Sequence, residues 1–580
     1  MKHVLAIILA AALLLMLLTG CIGGEEPPEA STEASPEASQ GASQEPESSP
    51  ARDATGVYLL NDSGEAVVDD AALLPAAATQ DNYRVFYQIF VGSFSDSDGD
   101  GVGDLRGIIN RMDYLNDGDD GSGVSLGVEG LWLSPIFKSG SYHKYDVNDY
   151  YQIDPAFGTQ DDLEELLELC HERNVKVILD LVINHTGTLN PWFSAFISAR
   201  RTGDTQNPYY DFYTCYAKGE PTPSGRTFRQ LSGTDFFYEC NFSDGMPELN
   251  YDNESVRQAV LDVAKYYLDL GVDGFRFDAA KYIYLGENAK SAQFWQWFVG
   301  ELKAVKPDVY TVAEVWDGDG ITDIYYPALN CFNFTTAQVN GLITQTAQAG
   351  DVNRYTAYVQ SYLKRVTALN GDAMIVPFIS NHDMDRAAGY LTVASGQMKM
   401  AANLYLLSAG SPFIYYGEEI GLRGSRGGAN TDANRRLKME WGDGDTVRDP
   451  EGANYDATRS YVTAAEQLAD GGSLYTHYKK LIMIRKANPA ICRGEYTALA
   501  FKDTKLGGFT ASLEGVTVAV LHNTSKSAVT VDLSDVTDVP FTQINAVIGA
   551  GNAVLGEGYA TLDGTVLTLD AQTSVVLGCG

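Results

Sequence analysis

An alternation of strand and helix signals over residues 83–486 is the feature that most constrains the fold of this chain. Residues 175–183 form an almost continuous apolar run, typical of a strand buried on both faces of a parallel sheet. Residues 105–115 predict a helix, and residues 161–173 predict an amphipathic helix, which Thr159 and Asp162 would cap. Eight such units, one with a weak strand, predict an α/β fold, the (β/α)8 (TIM) barrel. The predicted strands are residues 85–90, 128–133, 175–183, 272–277, 309–313, 329–334, 374–379 and 412–416.

Two stretches depart from this alternation. Residues 186–249 are irregular and predict an inserted domain B after the third strand, whose many aromatic residues are better explained as its own core than as sugar platforms. After Pro489, short alternating strands with Gly and Asn turns predict a C-terminal antiparallel β-domain of the sandwich type at 490–580. The barrel would then cover 83–185 and 250–489, after a lead-in segment at 56–82.

The N-terminus predicts export. A basic start precedes an apolar run at residues 4–18, which is typical of a signal peptide rather than a membrane-spanning helix. Leu18-Thr-Gly-Cys21 resembles a bacterial lipobox, and the alternative is an ordinary cleaved signal with a chance cysteine. Residues 21–55 are rich in Glu, Pro, Ser and Ala and predict a disordered acidic spacer. We therefore expect a signal peptide at 1–20 and a protein anchored to the membrane, at the cell surface, by a lipid on Cys21.

The charge and the cysteines exclude several classes of partner. A net charge of −35 disfavours nucleic acid and anionic substrates and favours a neutral substrate, and we expect a monomer. No two cysteines have metal-ligand spacing, which disfavours a structural zinc. The candidate disulfides are Cys215–Cys240 and Cys492–Cys579, and the candidate core cysteines are Cys170 and Cys331.

Polar residues collect where the predicted strands end. Asp278 lies between Arg276 and Lys281, and taken alone this cluster is better explained as an ion pair closing a strand than as a catalytic site. Glu314 and Asp383, however, follow two other strands, and three carboxylates gather in one cavity only if cations or protons relieve their repulsion. Three of the seven histidines lie in the same motifs, although ordinary buried hydrogen bonding would also explain them: His143, His185 and His382. The grouping favours a catalytic site.

These motifs resemble a known family. Residues 180–185, 274–282, 314–317 and 378–383 are similar to the four signature regions of the α-amylase family, glycoside hydrolase family 13, in the family's order and on the expected strands. Further similar segments are 130–135, 246–250 and 410–419. The resemblance spans about 83–489 and implies a retaining glycosidase.

The resemblance implies a role for each matching residue. Asp278 would be the nucleophile, Glu314 the general acid and base, and Asp383 the stabiliser of the transition state. Such an enzyme needs its first two carboxyl groups about 5–5.5 Å apart. Arg276 would keep Asp278 ionised, whereas Glu314 needs a raised pKa. Tyr142 would stack beneath the cleaved sugar, His185 would bind its hydroxymethyl group and Lys281 would contact the leaving-group side, a subsite that Asp432 and Arg436 are candidates to complete. The implied substrate-binding set is Tyr142, His143, His185, Arg276, Lys281, His382 and Arg436.

Two calcium sites are predicted. The loop from Asp96 to Asp104 places carboxylates at alternate positions among glycines, much as an EF-hand loop begins, and the alternative is an acidic turn without metal. Its ligands would be Asp96, Asp98, Asp100, Val102 and Asp104. The resemblance implies a second site between the barrel and domain B, at Asn184, Glu248 and the carbonyl of Tyr282. The family more often has Asp at the Glu248 position.

The resemblance implies cleavage of internal α-1,4 bonds in starch, glycogen or maltodextrins, as by an α-amylase. Lys281-Tyr282 and Trp316 favour this activity over that of an oligo-1,6-glucosidase. An α-glucosidase, an oligo-1,6-glucosidase or a transglycosylase acting on short α-glucans would use the same carboxylates. A non-catalytic glucan-binding surface lipoprotein is the alternative from another class, although binding alone does not require the intact trio.

Overall fold

The computed structural model describes residues 79–119, 124–427, 431–455, 462–551 and 559–579. The predicted signal peptide, Cys21, the acidic spacer and most of the lead-in segment lie outside these described residues. Among the described residues, no helix is both long enough and apolar enough to cross a bilayer.

The described strands form one parallel sheet of seven strands and four smaller antiparallel sheets. In chain order they are β1 Phe86–Ile89, β2 Gly130–Leu133, β3 Phe137–Ser139, β4 Val147–Ile153, β5 Lys176–Leu181, β6 Cys215–Ala217, β7 Phe228–Gln230, β8 Phe236–Glu239, β9 Gly274–Phe277, β10 Tyr310–Ala313, β11 Asn330–Cys331, β12 Phe413–Tyr415, β13 Glu495–Ala500, β14 Leu506–Leu513, β15 Val516–Asn523, β16 Val529–Asp532, β17 Gln543–Gly549, β18 Ala560–Asp563, β19 Val566–Leu569 and β20 Thr573–Gly578.

The helices lie mainly between the parallel strands. The third helix shows why they form: Thr159 accepts a hydrogen bond from the backbone N–H of Asp162, whose side chain bonds back to Thr159, so the predicted capping box is confirmed. The described helices are α1 Leu105–Asn110, α2 Met112–Leu115, α3 Gln160–Glu172, α4 Pro191–Thr202, α5 Glu254–Asp269, α6 Asn288–Val305, α7 Asp319–Tyr325, α8 Leu342–Ala349, α9 Val352–Leu369, α10 Gln397–Leu406, α11 Ala464–Leu468, α12 Leu474–Ala487 and α13 Ala490–Arg493.

The parallel sheet closes into a barrel. Its strand order is β11-β10-β9-β5-β2-β1-β12, so the last strand pairs with the first. The predicted strand at 374–379 closes the remaining gap through two parallel bridges, Phe332 with Val376 and Phe378 with Phe413. Pro377 between them has no N–H to donate, which explains why this segment forms bridges rather than a full ladder. Together with the C-terminal β-domain, this confirms the predicted fold class.

Two elements differ from the prediction. The helix expected at 105–115 is divided at Arg111, whose guanidinium reaches Asp443 and Asp445. The sixth strand is only Asn330–Cys331.

The segment between β5 and α5 carries α4 and the sheet β6-β8-β7. Phe193, Phe212 and Tyr213 are buried there, as expected of a small core. Phe193 packs edge to face on Tyr213, and Phe212 lies tilted against it.

Both predicted disulfides are wrong, because all six described cysteines are free thiols. Cys215 lies opposite Tyr238 in the β6–β8 ladder rather than opposite Cys240, and a diagonal neighbour is too distant for an S–S bond. Cys492 is buried and its thiol donates to the Pro489 carbonyl, whereas Cys579 is exposed. Cys170 and Cys331 are buried, as predicted.

The C-terminal domain pairs the sheet β13-β14-β15-β20-β17 with the sheet β16-β19-β18. Its own apolar core includes Leu521, Leu567 and Val575. It packs on the barrel through α9, α10 and α13; for example, Asn403 of α10 donates to Ser574 of β20.

Candidate active site

Arg276, the fully buried arginine of β9, is the centre of the site. Its Nη1 donates to Asp180 Oδ1 at the end of β5 and to Asp278 Oδ1, both at 2.7 Å. Its Nη2 makes an ion-pair contact of 3.0 Å with Glu314 Oε2, at the end of β10. Parallel strands present their carboxyl ends at one face of the barrel, so three neighbouring strands bring their acids to one guanidinium.

A strained turn joins the ends of β9 and β10. Ala279, directly after Asp278, has a φ of 46°, in the left-handed region that costs a non-glycine residue about 1–3 kcal/mol. In this conformation its N–H donates to Glu314 Oε2 at 3.0 Å, and the N–H of Ala280 donates to the Glu314 carbonyl. The turn fixes the position of Glu314 relative to Asp278.

Asp383 lies opposite, on the loop after the bridged strand. Its Oδ1 accepts from Arg436 Nη2 at 2.7 Å, and its Oδ2 lies 3.0 Å from His382 Nε2. Burial acts to raise the pKa of Asp383, but His382, Arg436 and Arg276 outweigh it and hold this pKa well below its usual range. Arg436 also donates to the Tyr142 hydroxyl at 3.1 Å, whereas Arg435 binds Asp432 and Asp385. Arg436 is therefore the arginine of the site.

The positive charges of the site are too few to neutralise all of its carboxyl groups, so bound protons must neutralise the rest. Burial raises the pKa of both Asp278 and Glu314, and Arg276 opposes the rise in each. Burial also raises the pKa of Asp180 to about 7. The cluster has four carboxyl groups and the two guanidiniums of Arg276 and Arg436, so a dry cavity favours a proton on at least one acid. Asp278 and Glu314 lie within hydrogen-bonding reach of each other.

A buried hydrogen-bond network lies behind these acids and was not predicted from the sequence as part of the site. The Tyr145 hydroxyl donates to Asp180 Oδ2 at 2.8 Å and lies 2.6 Å from His382 Nε2. Gln88 of β1 donates to His382 Nδ1 at 2.7 Å, which places the histidine proton on Nε2, facing Asp383. The sequence signals were present: Gln88 is the polar residue within an apolar strand, and Tyr145 lies in the same motif as Tyr142.

The other two predicted histidines are neutral. Burial lowers the pKa of His185 to about 4, and its Nε2 has no hydrogen-bond partner within the described chain. Phe242 of the insertion packs against its ring. Burial, with Arg436, lowers the pKa of His143 to about 4, and its Nδ1 accepts from the Tyr145 N–H. The buried, unpaired nitrogen of His185 suits a ligand hydroxyl.

Lys281 lies on the β10 side, where its Nζ donates to the Trp316 carbonyl at 2.9 Å and pairs with Asp317. The indole of Trp316 is stacked on Phe334 and 40 % exposed, so one aromatic face is open two residues from Glu314.

The loop before α1 fits a hard cation. Ligand oxygens of Asp96, Asp98 and Asp104 lie within 4.8 Å of one another, a constellation of the kind that calcium takes. Asp100, which was also predicted to be a ligand, is not part of this group of three, and its carboxylate accepts the Val102 N–H at 2.7 Å. Calcium would here tie the loop to the start of α1, which Asp104 caps.

The second predicted metal site is less favourable. His185 and Glu248 pair in a backbone bridge, and Glu248 Oε1 already accepts the Asn241 N–H. Burial and the neighbouring Glu239 raise the pKa of Glu248 to about 8, and Arg226 supplies the local positive charge to Glu239. Among the described residues, no group of three carboxylate, His or Cys ligands gathers at this junction. The set Asn184, Glu248 and Tyr282 therefore stays a prediction, and no chemistry is derived from it.

Three buried carboxyl groups around arginine, at the carboxyl ends of a (β/α)8 barrel, define the active site of a glycosidase of the two-carboxylate class. Comparison with known proteins agrees. Residues 88–494 match the family model described as the α-amylase catalytic domain. The chain therefore belongs to the α-amylase family, whose members include glycosidases and transglycosylases.

The relatives differ in activity. "Alpha-amylase 3" of Dictyoglomus thermophilum is 36 % identical, with 76 % of this chain and 85 % of that protein aligned. A "4-alpha-glucanotransferase" of Thermotoga maritima is 31 % identical, over 72 % of this chain and 90 % of that protein. The solved structure "Eubacterium rectale Amy13B" has a TM-score of 0.79 and 33 % identity, covering 88 % of this chain and 98 % of that one.

Proposed function

We propose that this protein hydrolyses internal α-1,4-glucosidic bonds of starch, glycogen or maltodextrins with retention of configuration. The contact of one buried guanidinium, that of Arg276, with both Asp278 and Glu314 is the observation that carries the proposal. It holds a nucleophile and an acid side by side on neighbouring nitrogens of one side chain, and closely spaced carboxyl groups are what retention requires.

The proposed reaction has two steps. Asp278 attacks the anomeric carbon and forms a glycosyl ester, while Glu314 gives its proton to the leaving oxygen. Glu314 then takes a proton from water, which attacks the anomeric carbon, breaks its bond to the Asp278 oxygen and releases Asp278 as a carboxylate. Asp383, whose pKa His382 and the two arginines hold well below its usual range, stabilises the positive charge that develops on the sugar ring.

Glycosyl transfer is the second candidate. Water and a sugar hydroxyl compete for the same ester, and the open face of Trp316 beside Glu314 offers an acceptor sugar a stacking surface. The glucanotransferase name among the relatives supports this candidate as well. A purely glucan-binding lipoprotein is disfavoured, because binding does not require three desolvated acids around an arginine.

The product profile from soluble starch tests the proposal, with the Asp278→Asn variant as a control. Mixed maltooligosaccharides early in the reaction, and none from the variant, support an endo-acting hydrolase. Glucose alone from chain ends would favour an α-glucosidase, and longer products from maltotriose would favour transfer. If the wild type binds glucans and releases no sugar from them, the binding lipoprotein replaces the enzyme.

The proposal includes a lipid anchor on Cys21 that holds the enzyme at the cell surface. A Cys21→Ser variant expressed in a bacterium should move from the membrane fraction to the soluble exported fraction and lose incorporation of labelled palmitate. Equal labelling of both proteins would contradict the anchor.

A further inference from the structure

A second cavity, of about 330 Å³, lies next to the loop that carries Asp383. Six residues that line it are Gln338, Asp385, Tyr390, Ser425, Arg435 and Tyr455, and we name it the Tyr455 cavity. Its volume falls at the lower end of the range for ligand pockets, about 300–1,000 Å³. No residue of the catalytic trio lines it, and the roles described above do not account for it.

The charges of the cavity cancel. Arg435 Nε donates to Asp385 Oδ1 at 2.8 Å, and Arg435 Nη1 donates to the Asp383 carbonyl at 2.7 Å. Arg435 also pairs with Asp432, which Arg426 contacts in turn. Two acids and two bases therefore leave no net charge, which suits a neutral polar ligand better than an ion. Arg435 makes the cavity wall continuous with the catalytic loop.

The Tyr390 hydroxyl donates to the Ile379 carbonyl at 3.3 Å, but three other polar side chains of the cavity have no partner among the described residues. Within the described part of the chain, the side chains of Gln338, Ser425 and Tyr455 make no hydrogen bond. Gln338 is moreover held at a φ of 69°, unusual for a residue with a side chain, while its N–H donates to the Ile379 carbonyl. Backbone strain of this kind is characteristic of positions that bind ligands.

Two tyrosines add aromatic surface to these polar groups. Tyr390 and Tyr455 are both partly buried, and such rings offer apolar faces together with a polar tip. A sugar ring has the complementary chemistry, since its hydroxyl groups match an amide, a hydroxyl and a carboxylate–guanidinium pair and its C–H face matches a ring.

We propose that the Tyr455 cavity binds a glucose unit of the same α-glucan chain whose bond is cleaved, at a position removed from the scissile bond. This inference rests on the proposed α-glucan substrate and deepens it, because a binding position beyond the catalytic centre makes the enzyme prefer long chains.

The test compares kcat/KM for maltoheptaose and maltotriose in wild type, Tyr455→Ala and Gln338→Leu. The ratio of the two values should fall about fivefold in each variant, the size of effect expected when one aromatic or polar contact is lost. Tyr559→Ala, which removes an exposed tyrosine of the C-terminal domain, is the matched control and should keep the wild-type ratio. An unchanged ratio in both cavity variants would overturn the proposal, as would an equal loss on both substrates.

Binding to the Asp278→Asn protein separates this proposal from the proposed reaction. Adding Tyr455→Ala to that variant should weaken the calorimetric Kd for maltoheptaose about fivefold and weaken maltotriose binding less. If the wild type cleaves no α-glucan but this difference is found, the cavity assignment stands and the proposed hydrolysis fails. If the wild type hydrolyses α-glucans but Tyr455→Ala does not weaken maltoheptaose binding more than maltotriose binding, the proposed hydrolysis stands and the cavity assignment fails.

Discussion

Two groups of buried acids lie in this barrel, and they differ in what surrounds them. The catalytic acids contact guanidiniums, whereas Glu418 and Glu419, after β12, are surrounded by hydroxyl groups. Tyr405 and Tyr478 both donate to Glu418 at 2.8 Å, and Tyr87 and Tyr114 both donate to Glu419 at 2.7 Å. Burial raises the pKa of Glu418 to about 7 and also raises that of Glu419.

A raised pKa therefore does not by itself mark a catalytic acid in this protein. Glu418 and Glu419 are 3 % and 0 % exposed. Asp278 is slightly exposed and shares a cation with Glu314, so one acid can be ionised while the other keeps its proton. The shared arginine and the partial exposure of Asp278, rather than burial, distinguish the catalytic acids from Glu418 and Glu419.

The largest expected effect is the loss of the nucleophile. Asp278→Asn keeps the size of the side chain but cannot form the ester, so kcat on maltoheptaose should fall by at least about 10³-fold. Steady-state kinetics with a thermal melt as the folding control measures this. Activity within tenfold of wild type would show that another carboxylate is the nucleophile.

Removing the shared cation should come next. Arg276→Met should lower kcat about 10²- to 10³-fold, because the charges of three acids lose their partner. Arg276 opposes the upward shift of the Asp278 pKa, so this pKa should rise further in the variant. Since Asp278 acts as the anion, the acid limb of the kcat/KM profile should move to higher pH.

Arg276→Lys is the matched control for this change. It keeps the positive charge and loses the planar fork, so it should lower kcat but move the acid limb less than Arg276→Met. If the acid limb of the kcat/KM profile lies at the same pH in wild type and in Arg276→Met, the proposed electrostatic effect of Arg276 on Asp278 is contradicted.

The tyrosine-lined acids should affect stability instead. Glu418 has a folded-state pKa of about 7, above the ordinary value near 4.5, so its stabilising contribution is complete below about pH 4.5 and is lost as pH rises through about 7. Glu418→Gln has no such loss. The free energy of unfolding of wild type should fall relative to this variant by up to about 3 kcal/mol across that range. Denaturant unfolding at several pH values measures this difference. If the free energies of unfolding of wild type and Glu418→Gln change with pH in parallel, the pKa of Glu418 is not raised.

The smallest expected effect concerns the exposed acids of the loop from Asp96 to Asp104. If calcium binds there, millimolar calcium should raise Tm by about 1–3 °C, and a chelator should reverse the change. Asp98→Ala should abolish this response, whereas Asp535→Ala, an exposed acid of the C-terminal domain, should keep it. A calcium response that persists in Asp98→Ala would place the ion elsewhere.

The sequence predicted the parts of the site that follow from local pattern. Asp278, Glu314 and Asp383 follow strand signals, so their meeting at one end of the barrel could be inferred from the strand count. The Tyr145–Asp180–His382 network could not be inferred, because the local pattern can mark Tyr145 as a candidate but does not tell which residues far apart in the chain it bonds to. The sixth strand and the one at 374–379 were expected to be longer, since propensity does not report the missing N–H of Pro377. The disulfide predictions failed because cysteines in a chain with a predicted export signal suggest pairing, whereas the strand register decides how far apart two cysteines lie.

The pairing of the last barrel strand with the first has a consequence during synthesis. Phe86 lies opposite Phe413, and Asp383 reaches its partner Arg436 only once both have been made. At about 5–20 residues per second, about 16–65 s pass between the synthesis of Phe86 and that of Phe413. Until then the first strand has an unpaired edge, and chaperones that cover such edges would find their target on the nascent chain.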